Sequence, residues 1–248
     1  MSSPRFQTEL HMHTSEVSMC AKLTAPQMAD LYIRAGYHSV VVTNHYSPTT
    51  AEAMGENWST DRYLEGYRLM KEYARGKLCV LLGAELRFYG DSNDYLLYGL
   101  TEDFLYGHPD LHKSKLKDFS PLAREHGILV IQAHPFRNGM TVRMPELLDG
   151  VEVFNANTET FRNQIALDWA RHYGLLGTSG SDLHSDRTVI GGGLLTEEPI
   201  ESNEELVRIL KARTAALLRK TNDPSCADLG LLPATLEESE RTAFHHAI

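Results

Sequence analysis

Short apolar segments alternate with longer amphipathic segments along most of the chain. The apolar segments are rich in Val, Ile and Leu, which is typical of strands buried on both faces. The predicted strands lie at about residues 6–10, 40–43, 78–84, 95–100, 128–133, 151–154, 175–180 and 215–218. The predicted helices lie at about 25–36, 59–76, 159–173 and 201–212, with one more that ends near Gly127. Thr24 is predicted to cap the first helix and Gly36 to end it.

This alternation predicts an α/β fold in which parallel strands are joined by helical crossovers. About seven strand-and-helix units in a core of about 6–219 favour a (β/α) barrel over an open sheet. No internal repeat or linker divides the chain, so we predict a single domain over 1–248, with 220–248 as a C-terminal extension. In such barrels the reacting groups lie at the C-terminal ends of the strands.

The composition disfavours several classes of protein. No uncharged apolar run reaches the about 18 residues that a membrane span requires, and the N-terminus lacks the apolar region of a signal peptide. The three widely spaced cysteines, Cys20, Cys79 and Cys226, favour a reducing, cytoplasmic location. The net charge of −9 disfavours binding of duplex nucleic acid. A small anionic substrate stays open, because bound cations would offset the negative charge locally.

Side chains that commonly bind metal ions follow the predicted strands one after another. They are His11, His13, His45, Glu85, His134, Asp182 and His184. The spacing of His11 and His13 places both imidazoles on the same side of an extended segment. The other histidines lie before strands, in loops, on helices or in the C-terminal tail, and surface positions account for them. Delivery of ligand-type side chains at five separate strand ends therefore predicts a metal centre.

The chemistry of these side chains indicates which metals they suit. Imidazoles with a few carboxylates, and no paired cysteines, suit Zn, Mn or Fe rather than calcium or a four-cysteine zinc site. Seven ligands are too many for one tetrahedral ion. We therefore expect two or three divalent metal ions, bridged by a carboxylate and a hydroxide. Metals about 3.5–4 Å apart activate water and clamp a phosphoryl group.

Five short motifs resemble, in the same order, those of the PHP (polymerase and histidinol phosphatase) family. They are His11-x-His13-Thr14, Thr43-Asn44-His45, Gly83-Ala84-Glu85, Ala133-His134-Pro135 and Gly180-Ser181-Asp182-Leu183-His184. The resemblance extends over about residues 6–219. It implies a distorted seven-stranded (β/α) barrel with a trinuclear metal site that hydrolyses phosphoesters.

The resemblance also implies how the ligands are divided among three metals. One metal would be held by His11, His13, Glu85 and Asp182. Glu85 would bridge to a second metal, which it shares with His134. His45 and His184 would hold the third. The reaction itself is expected to depend on His11, His13, Glu85, His134, Asp182 and His184.

The chain departs from the family pattern at three places. The family usually has an Asp or His five or six residues after the second histidine; Glu16 is our candidate for that ligand, with Cys20 as the alternative and a solvated Glu16 as the plain reading. Asp94 is the candidate substitute for a histidine that often precedes the following apolar strand. Asn44 stands where the family commonly has Asp. Because Asn is the weaker acceptor, we expect the third metal to be held more loosely or tuned differently.

The implied reaction is attack of a metal-bridging hydroxide on the phosphorus of a small phosphate ester. Arg87 and Arg137 are candidates for gripping the substrate phosphate, although surface arginines beside acidic neighbours are the alternative interpretation. His45 or His184 could protonate the leaving group, and water is an equal alternative.

Two further hypotheses remain open at this point. One is a metal hydrolase of the amidohydrolase kind acting on a C–N bond, because His-x-His on a first barrel strand also suits that class. The other is a non-catalytic PHP module that keeps the metal-binding fold. The sequence leaves open the substrate, the choice between mono- and diesters, the metals and the oligomeric state.

Overall fold

The computed structural model describes residues 5–186, 189–221 and 229–237, and the strands and helices below are those of the described ranges. In chain order the strands are β1 (Phe6–Met12), β2 (Ser39–Val42), β3 (His45–Tyr46), β4 (Cys79–Leu82), β5 (Ala84–Leu86), β6 (Tyr95–Tyr98), β7 (Leu129–Gln132), β8 (Gly150–Asn155), β9 (Leu176–Gly180), β10 (Leu194–Thr196), β11 (Ala216–Leu217) and β12 (Leu232–Pro233). The α-helices are α1 (Ala25–Arg34), α2 (Pro48–Met54), α3 (Thr60–Tyr73), α4 (Glu102–Gly107), α5 (Leu116–Glu125), α6 (Thr160–Tyr173) and α7 (Asn203–Ala212). The predicted α/β class is confirmed.

The strands form two six-stranded sheets. The first has the order β12-β11-β10-β1-β2-β4, and the second has the order β3-β5-β6-β7-β8-β9. Two chain segments pass from the first sheet into the second: β2 continues into β3 across Thr43 and Asn44, and β4 continues into β5 across Gly83. A Cβ atom on Gly83 would lie 2.6 Å from Val41 Cγ1, so the close approach of the strands there requires glycine.

These crossings position two of the predicted ligands. His45 and Glu85 are directly opposite each other in the parallel pair β3–β5. A separate bridge between Met12 and Leu183 joins the end of β1 to the segment after β9. The backbone N–H of Asp182 also donates to the carbonyl of His11 at 2.8 Å. The ends of strands from both sheets therefore meet at one place.

The prediction that the strands pair in parallel is wrong for β6, which runs antiparallel to both β5 and β7. The connection from β5 to β6 is a short loop with no crossover helix, and such a connection reverses the chain direction. β10 also lies antiparallel to β1. Among the strands of the described ranges the pairing gives two sheets and no closed barrel, so the seven-stranded barrel stays a prediction.

The helices cover the sheets with their apolar faces. In α1, Ala25, Met28, Ala29 and Tyr32 are buried, at the i, i+3, i+4, i+7 spacing of one helix face. Thr24 and Gln27 form a capping box at its start, as the N-cap prediction requires. The helices α2 and α4 are short and lie in segments where the apolar pattern predicts no helix.

Part of the predicted C-terminal extension is folded against the first sheet. β12 pairs antiparallel with β11, and Leu232 and Leu236 are buried. Cys226, with the rest of 222–228 and 238–248, lies outside the described residues. Among the helices of the described part, none combines the length and apolar character needed to cross a bilayer.

Candidate metal centre

His11 and His13 lie at the end of β1 with their rings side by side. Their ring centroids are 5.2 Å apart, and both residues are fully buried. The intervening Met12 is also fully buried and belongs to the apolar core. Because successive side chains of a strand point to opposite faces, the two imidazoles lie on one face of β1 and the Met12 side chain lies on the other.

Four ligand atoms from three parts of the chain converge at this point. They are His11 Nε2, His13 Nε2, Glu85 Oε2 and Asp182 Oδ1; each is buried and makes no well-aligned hydrogen bond, although Glu85 Oε2 lies 2.8 Å from His45 Nδ1. His13 Nε2 lies 3.3 Å from Glu85 Oε2 and 3.3 Å from Asp182 Oδ1. His11 Nε2 lies 3.4 Å from Asp182 Oδ1. Buried polar atoms normally make well-aligned hydrogen bonds, so four atoms that do not, gathered at neighbouring strand ends, require an explanation.

Divalent cations fit among these residues in two overlapping groups: His11, His13 and Glu85 offer ligand atoms within 4.8 Å of one another, and so do His11, His134 and Asp182. Metal–ligand distances of about 2.0–2.2 Å place the ligands of a tetrahedral ion about 3.3–3.6 Å from one another. The separations of 3.3 and 3.4 Å between imidazole nitrogens and carboxylate oxygens lie in this range. Two imidazoles with two carboxylates are also a donor set that suits Zn, Mn or Fe. The residues present therefore fit the predicted metal.

Glu85 connects this group to a second group that contains His134. His134 Nε2 lies 3.0 Å from Glu85 Oε1, and Asp94 offers an oxygen within 4.8 Å of both. The structure thus brings Asp94 to the centre. Its two oxygens already accept hydrogen bonds from Arg87, from Nε at 2.7 Å and from Nη2 at 2.5 Å. Asp94 can reach a cation only if it shares an oxygen with this guanidinium.

A third group consists of His13, His45 and His184, whose ligand atoms lie within 4.8 Å of one another. The ring centroid of His13 is 4.5 Å from that of His45 and 4.2 Å from that of His184. The side chains of His45 and His184 are each 22% exposed, whereas His13 is fully buried. This group therefore forms the solvent-facing side of the centre.

The structure places Glu16 away from these groups, so our choice of Glu16 as the extra ligand is not supported by the geometry. Both of its carboxylate oxygens accept a hydrogen bond from the backbone N–H of Ala25, at 2.9 and 3.1 Å. Ala25 is the first residue of α1, and a carboxylate there is stabilised by the free N–H groups of the helix terminus. In this structure the Glu16 carboxylate binds the N-terminus of α1 and belongs to none of the candidate metal-binding groups of the described residues, so its role as a ligand stays a prediction.

Cys20, the alternative candidate, lies in the same loop and also belongs to none of the candidate metal-binding groups among the described residues. Its thiol hydrogen-bonds with the imidazoles of His184 and His45. Desolvation alone would raise the pKa of the Cys20 thiol, but these two hydrogen bonds lower the pKa to about 6. Cys20 is exposed to solvent, on the same open side as the two histidines.

Glu152 is a residue of the site that our reading of the sequence missed. Its Oε1 lies 2.9 Å from His11 Nδ1, and its Oε2 accepts hydrogen bonds from the backbone N–H of His134 and from Asn155 Nδ2. A carboxylate can only accept, so His11 Nδ1 carries a proton and His11 Nε2 points at the four-atom group. The sequence does contain a signal for this role: Glu152 is a charged residue between Val151 and Val153, in a strand that is predicted to be buried.

Ser18 orients His13 in a similar way. Ser18 Oγ donates to Asn44 Oδ1 at 3.0 Å and lies 3.2 Å from His13 Nδ1. Since the hydroxyl proton points to Asn44, His13 Nδ1 donates to Ser18, and the lone pair of Nε2 faces the cation position. Asn44 Oδ1 also accepts from the backbone N–H of Thr14 at 2.7 Å. The Asn44 amide therefore fixes the loop after β1.

The charges of the centre shift the pKa values of its members in opposite directions. Burial would raise the pKa of Glu85, but the positive charges of His45 and His11 hold it well below its usual value. Burial lowers the pKa of His13, and with the nearby charge of His45 it brings the pKa to about 3. His13 is therefore neutral at pH 7, which is the form that binds a metal. Asp182 likewise has a lowered pKa, because the charge of His11 outweighs its burial.

The two arginines predicted to grip phosphate lie beside the centre. Arg137 Nη2 donates to Asp182 Oδ2 at 2.7 Å and to Asn155 Oδ1 at 3.1 Å. Arg87 is held by Asp94 as described above. Each guanidinium is thus paired with a carboxylate of the centre and remains partly exposed. Any contact with a substrate would come from the guanidinium atoms that these carboxylates do not use.

His134 and Asp182 have backbone conformations that residues other than glycine rarely adopt. The φ angle is +29° at His134 and +51° at Asp182. Such conformations cost on the order of 1–3 kcal/mol each and are concentrated at functional sites. They aim both side chains back toward β1 directly after β7 and β9 end.

Comparisons with known proteins give a family match for part of the chain. A family model described as PHP-associated matches residues 160–215, which contain α6, β9, β10 and α7. The search of curated proteins found no match.

Several solved structures share the fold at low sequence identity. A two-domain protein from Bacteroides vulgatus, containing a predicted PHP-like metal-dependent phosphoesterase, is 17% identical with a TM-score of 0.66, covering 88% of this chain and 65% of its own. A lesion-specific endonuclease from Pyrococcus furiosus is 14% identical with a TM-score of 0.60, covering 84% and 56%. An amidohydrolase from Chromobacterium violaceum, with bound sulfate and no metal, is 15% identical with a TM-score of 0.55, covering 86% and 97%. At these identities the likeness shows the fold.

Proposed function

The match over residues 160–215 and the fold shared with PHP-like phosphoesterases support a PHP family protein, and from that premise we propose that this chain is a metal-dependent phosphoesterase. Its substrate is a small phosphate mono- or diester. The observation that carries the proposal is the buried cluster of His11, His13, Glu85 and Asp182, in which imidazole nitrogens and carboxylate oxygens lie 3.3 and 3.4 Å apart, as the ligands of a divalent cation do. Two carboxylates buried this closely together destabilise a fold unless a cation, or protons on the neighbouring imidazoles, offset their charge.

The proposed ligands fall into the three groups described above. The first cation is held by His11, His13, Glu85 and Asp182. Glu85 and His134 hold the second, with Asp94 beside them, and His45 and His184 hold the third. Bound divalent cations, Zn, Mn or Fe, supply an activated water nucleophile and stabilise negative charge on the phosphoryl group. Glu152 and Ser18 keep the proton on Nδ1 of His11 and His13, so that Nε2 of each ring stays available.

Arg137 and Arg87 are the proposed contacts of the substrate phosphate. In each guanidinium Nη2 is bound to a carboxylate, whereas Nη1 makes none of the hydrogen bonds found among the described residues. Nη1 can donate to a phosphate oxygen without breaking the existing ion pair. The leaving oxygen would take its proton on the open side, from His45, from His184 or from water.

We also propose that the two sheets are parts of one distorted seven-stranded barrel. The support is the continuity of β2 with β3 and of β4 with β5, together with the bridge between Met12 and Leu183. The strands would then follow one another as β1, β2–β3, β4–β5, β6, β7, β8 and β9. The metal centre would lie at one rim of this barrel.

The test is hydrolysis by the full chain after removal of metals with a chelator and reloading with Mn²⁺, Fe²⁺ or Zn²⁺. Phosphate monoesters, phosphate diesters and a simple amide are offered to each preparation. We expect phosphate or alcohol to be released only when metal is present. His172→Ala is the matched control, because His172 is an exposed residue of α6 remote from the centre.

The other outcomes of this test discriminate the alternatives. Metal-dependent release of an amine with no phosphoester cleavage would establish the C–N hydrolase, the class to which the neighbour from Chromobacterium violaceum is assigned by name. Amidohydrolases typically carry a carboxylated lysine at a middle strand end, and Glu85 stands at that place here. Bound metal with no turnover of any substrate would establish the non-catalytic module.

A further inference from the structure

Glu9 lies on β1 two residues before His11, and its carboxylate is fully buried. It belongs to none of the candidate metal-binding groups among the described residues. Its Oε1 accepts hydrogen bonds from the backbone N–H groups of Leu10 at 3.0 Å, His11 at 2.9 Å and Ser181 at 2.9 Å. Its Oε2 accepts from the hydroxyls of Ser181 and, at 3.2 Å, Tyr32. All five partners donate, which is the pattern that an ionised carboxylate requires.

Two of these donors belong to an irregular stretch of β1. The register of β1 against β2 shifts between Glu9 and Met12. Such a shift disrupts the ladder of the sheet locally, and the backbone N–H groups of the stretch then need other acceptors. The Glu9 carboxylate supplies them for Leu10 and His11. It therefore stabilises the backbone at the place where the strand turns His11 toward the metal centre.

The same carboxylate joins β1 to the segment that carries Asp182. The N–H of Asp182 donates to the carbonyl of His11 at 2.8 Å, which pairs the two segments directly. Glu9 Oε1 makes the neighbouring link, because it accepts both the N–H of His11 and the N–H of Ser181 at 2.9 Å. One oxygen thus fixes the separation between His11 and the residue that precedes Asp182.

The hydroxyl of Ser181 is directed toward Glu9 by two glycines. Ser181 Oγ accepts from the N–H groups of Gly191 and Gly192, each at 3.0 Å, so its own proton is left for Glu9 Oε2. A Cβ atom on Gly192 would lie 2.0 Å from the carbonyl carbon of Gly180, so this approach of the chain requires glycine. Ser181 is therefore held from both sides.

We propose that Glu9 is a positioning residue of the metal centre, and that its carboxylate holds His11 and Asp182 at the separation that a shared cation needs. His11 Nε2 and Asp182 Oδ1 lie 3.4 Å apart. This inference rests on the metal centre of the proposed function but does not depend on which bond that centre breaks. Glutamine cannot replace Glu9, because an amide nitrogen in place of Oε2 would be a third donor to Ser181 Oγ and would leave the hydroxyl proton without its acceptor.

Titration with Zn²⁺ tests the proposal with a readout that does not require turnover. The full chain is stripped of metal and titrated with Zn²⁺ in a calorimeter. We expect Glu9→Gln to weaken one equivalent of Zn²⁺ by about 10–100-fold, the usual cost of losing a residue that orients a metal ligand, and to change the other equivalents less. Urea denaturation of the metal-free variants measures their stability separately.

Tyr32→Phe is the matched control. It removes one donor to the Glu9 carboxylate but leaves the bonds to His11 and Ser181 in place. This variant should be less stable without metal and should bind Zn²⁺ with unchanged affinity. Ser181→Ala removes the hydroxyl at the other end of the link and should weaken the same equivalent of Zn²⁺ as Glu9→Gln. If Glu9→Gln does not fold, the comparison of Ser181→Ala with Tyr32→Phe decides the matter.

The outcomes separate this inference from the proposed function. If Glu9→Gln and Ser181→Ala keep the Zn²⁺ affinity of the unmodified chain, Glu9 is not a positioning residue, even if phosphoesters are hydrolysed. The same conclusion follows if Tyr32→Phe loses as much affinity as they do, because affinity then merely follows stability. If affinity depends on Glu9 and Ser181 as expected but no ester is cleaved with any metal, the positioning role stands and the phosphoesterase proposal fails.

Discussion

Glu152 Oε1 lies 2.9 Å from Nδ1 of His11, and both side chains are buried. The carboxylate comes from the middle of β8 and the imidazole from β1, so the contact joins the two sheets. Because Glu152 fixes the proton on Nδ1, it decides that His11 presents the lone pair of Nε2 toward Glu85 and Asp182. The orientation of the metal centre thus depends on a residue that does not itself reach the cation.

We therefore expect Glu152→Gln to weaken metal binding and activity by about 10–100-fold, the usual cost of losing the partner of a metal ligand. Glutamine keeps the size of the side chain but not its charge, and it can present a donor to Nδ1. Metal content by elemental analysis and kcat/KM should fall together. Glu146→Gln is the control, because Glu146 is exposed. Full metal occupancy in Glu152→Gln would contradict the role given to this carboxylate.

His134→Asn should lower kcat/KM on the order of a hundredfold or more while the fold stays intact. His134 contacts the bridging Glu85 Oε1 at 3.0 Å. Asn tolerates the positive φ of +29° at this position better than most residues, so the substitution removes the imidazole with little change in backbone strain. Circular dichroism checks the fold, and His172→Ala is the control. Turnover at the unmodified rate would remove His134 from the site.

Metal binding should strengthen as the pH rises. Burial lowers the pKa of His11, but the charges of Glu152, Asp182 and Glu85 raise it well above 6.5. His45 is raised likewise, chiefly by Glu85 against its own burial. Both rings are therefore protonated at neutral pH in the metal-free chain, and a cation must displace these protons.

The sign of the effect on stability follows from the same shifts. A histidine whose pKa is raised in the folded state stabilises the metal-free fold below pH 6.5, and this contribution is lost as the pH rises through the raised pKa. The increase in Tm on adding Zn²⁺ should consequently be larger at about pH 8 than at about pH 6. Calorimetry in buffers of different ionisation enthalpy should detect proton release. An increase in Tm that is independent of pH would contradict protonated His11 and His45.

Gly66→Ala should destabilise the fold although alanine favours helices by about 1 kcal/mol over glycine. A Cβ atom on Gly66 in α3 would lie 2.1 Å from Thr14 Oγ1 and 2.9 Å from Asn44 Nδ2. These two side chains bond to each other and hold the loop after β1, so the clash should also lower metal affinity.

Gly107→Ala is the matched control for this variant. Gly107 ends α4, and a Cβ atom there would meet nothing within 4 Å. Urea denaturation should show Gly107→Ala unchanged or stabilised and Gly66→Ala destabilised. Equal stability of the two variants would show that Thr14 and Asn44 can move aside without cost.

Much of the fold and of the candidate site was predictable, because residues that end neighbouring strands lie close together in an α/β fold. Apolar runs marked the strands, and His45, Glu85 and His134 follow or lie within them, so their meeting follows from the architecture. The direction of β6 was not predictable from apolar patterning, which is the same for a parallel and an antiparallel buried strand. The short loop before Tyr95 was the available signal.

The choice between Glu16 and Cys20 could not be made from the sequence. Both lie in the loop after β1, where no periodicity fixes the direction of a side chain. Glu16 also fits the start of α1, and only the three-dimensional arrangement shows that the helix terminus receives it. Glu152 was missed for a different reason. The prediction of ligands depended on polar residues at strand ends, whereas Glu152 lies inside β8.

The bridge between Met12 and Leu183 has a consequence for how the chain acquires its cations. Leu183 lies between Asp182 and His184, whereas Met12 lies between His11 and His13, so one pairing event assembles four of the ligands. These segments are far apart in sequence, and closing so large a loop is among the slow steps of folding. A growing chain that has not yet reached residue 184 holds only an incomplete set of ligands. Loading with metal therefore waits for a contact between two segments that lie far apart in the sequence, at Met12 and Leu183.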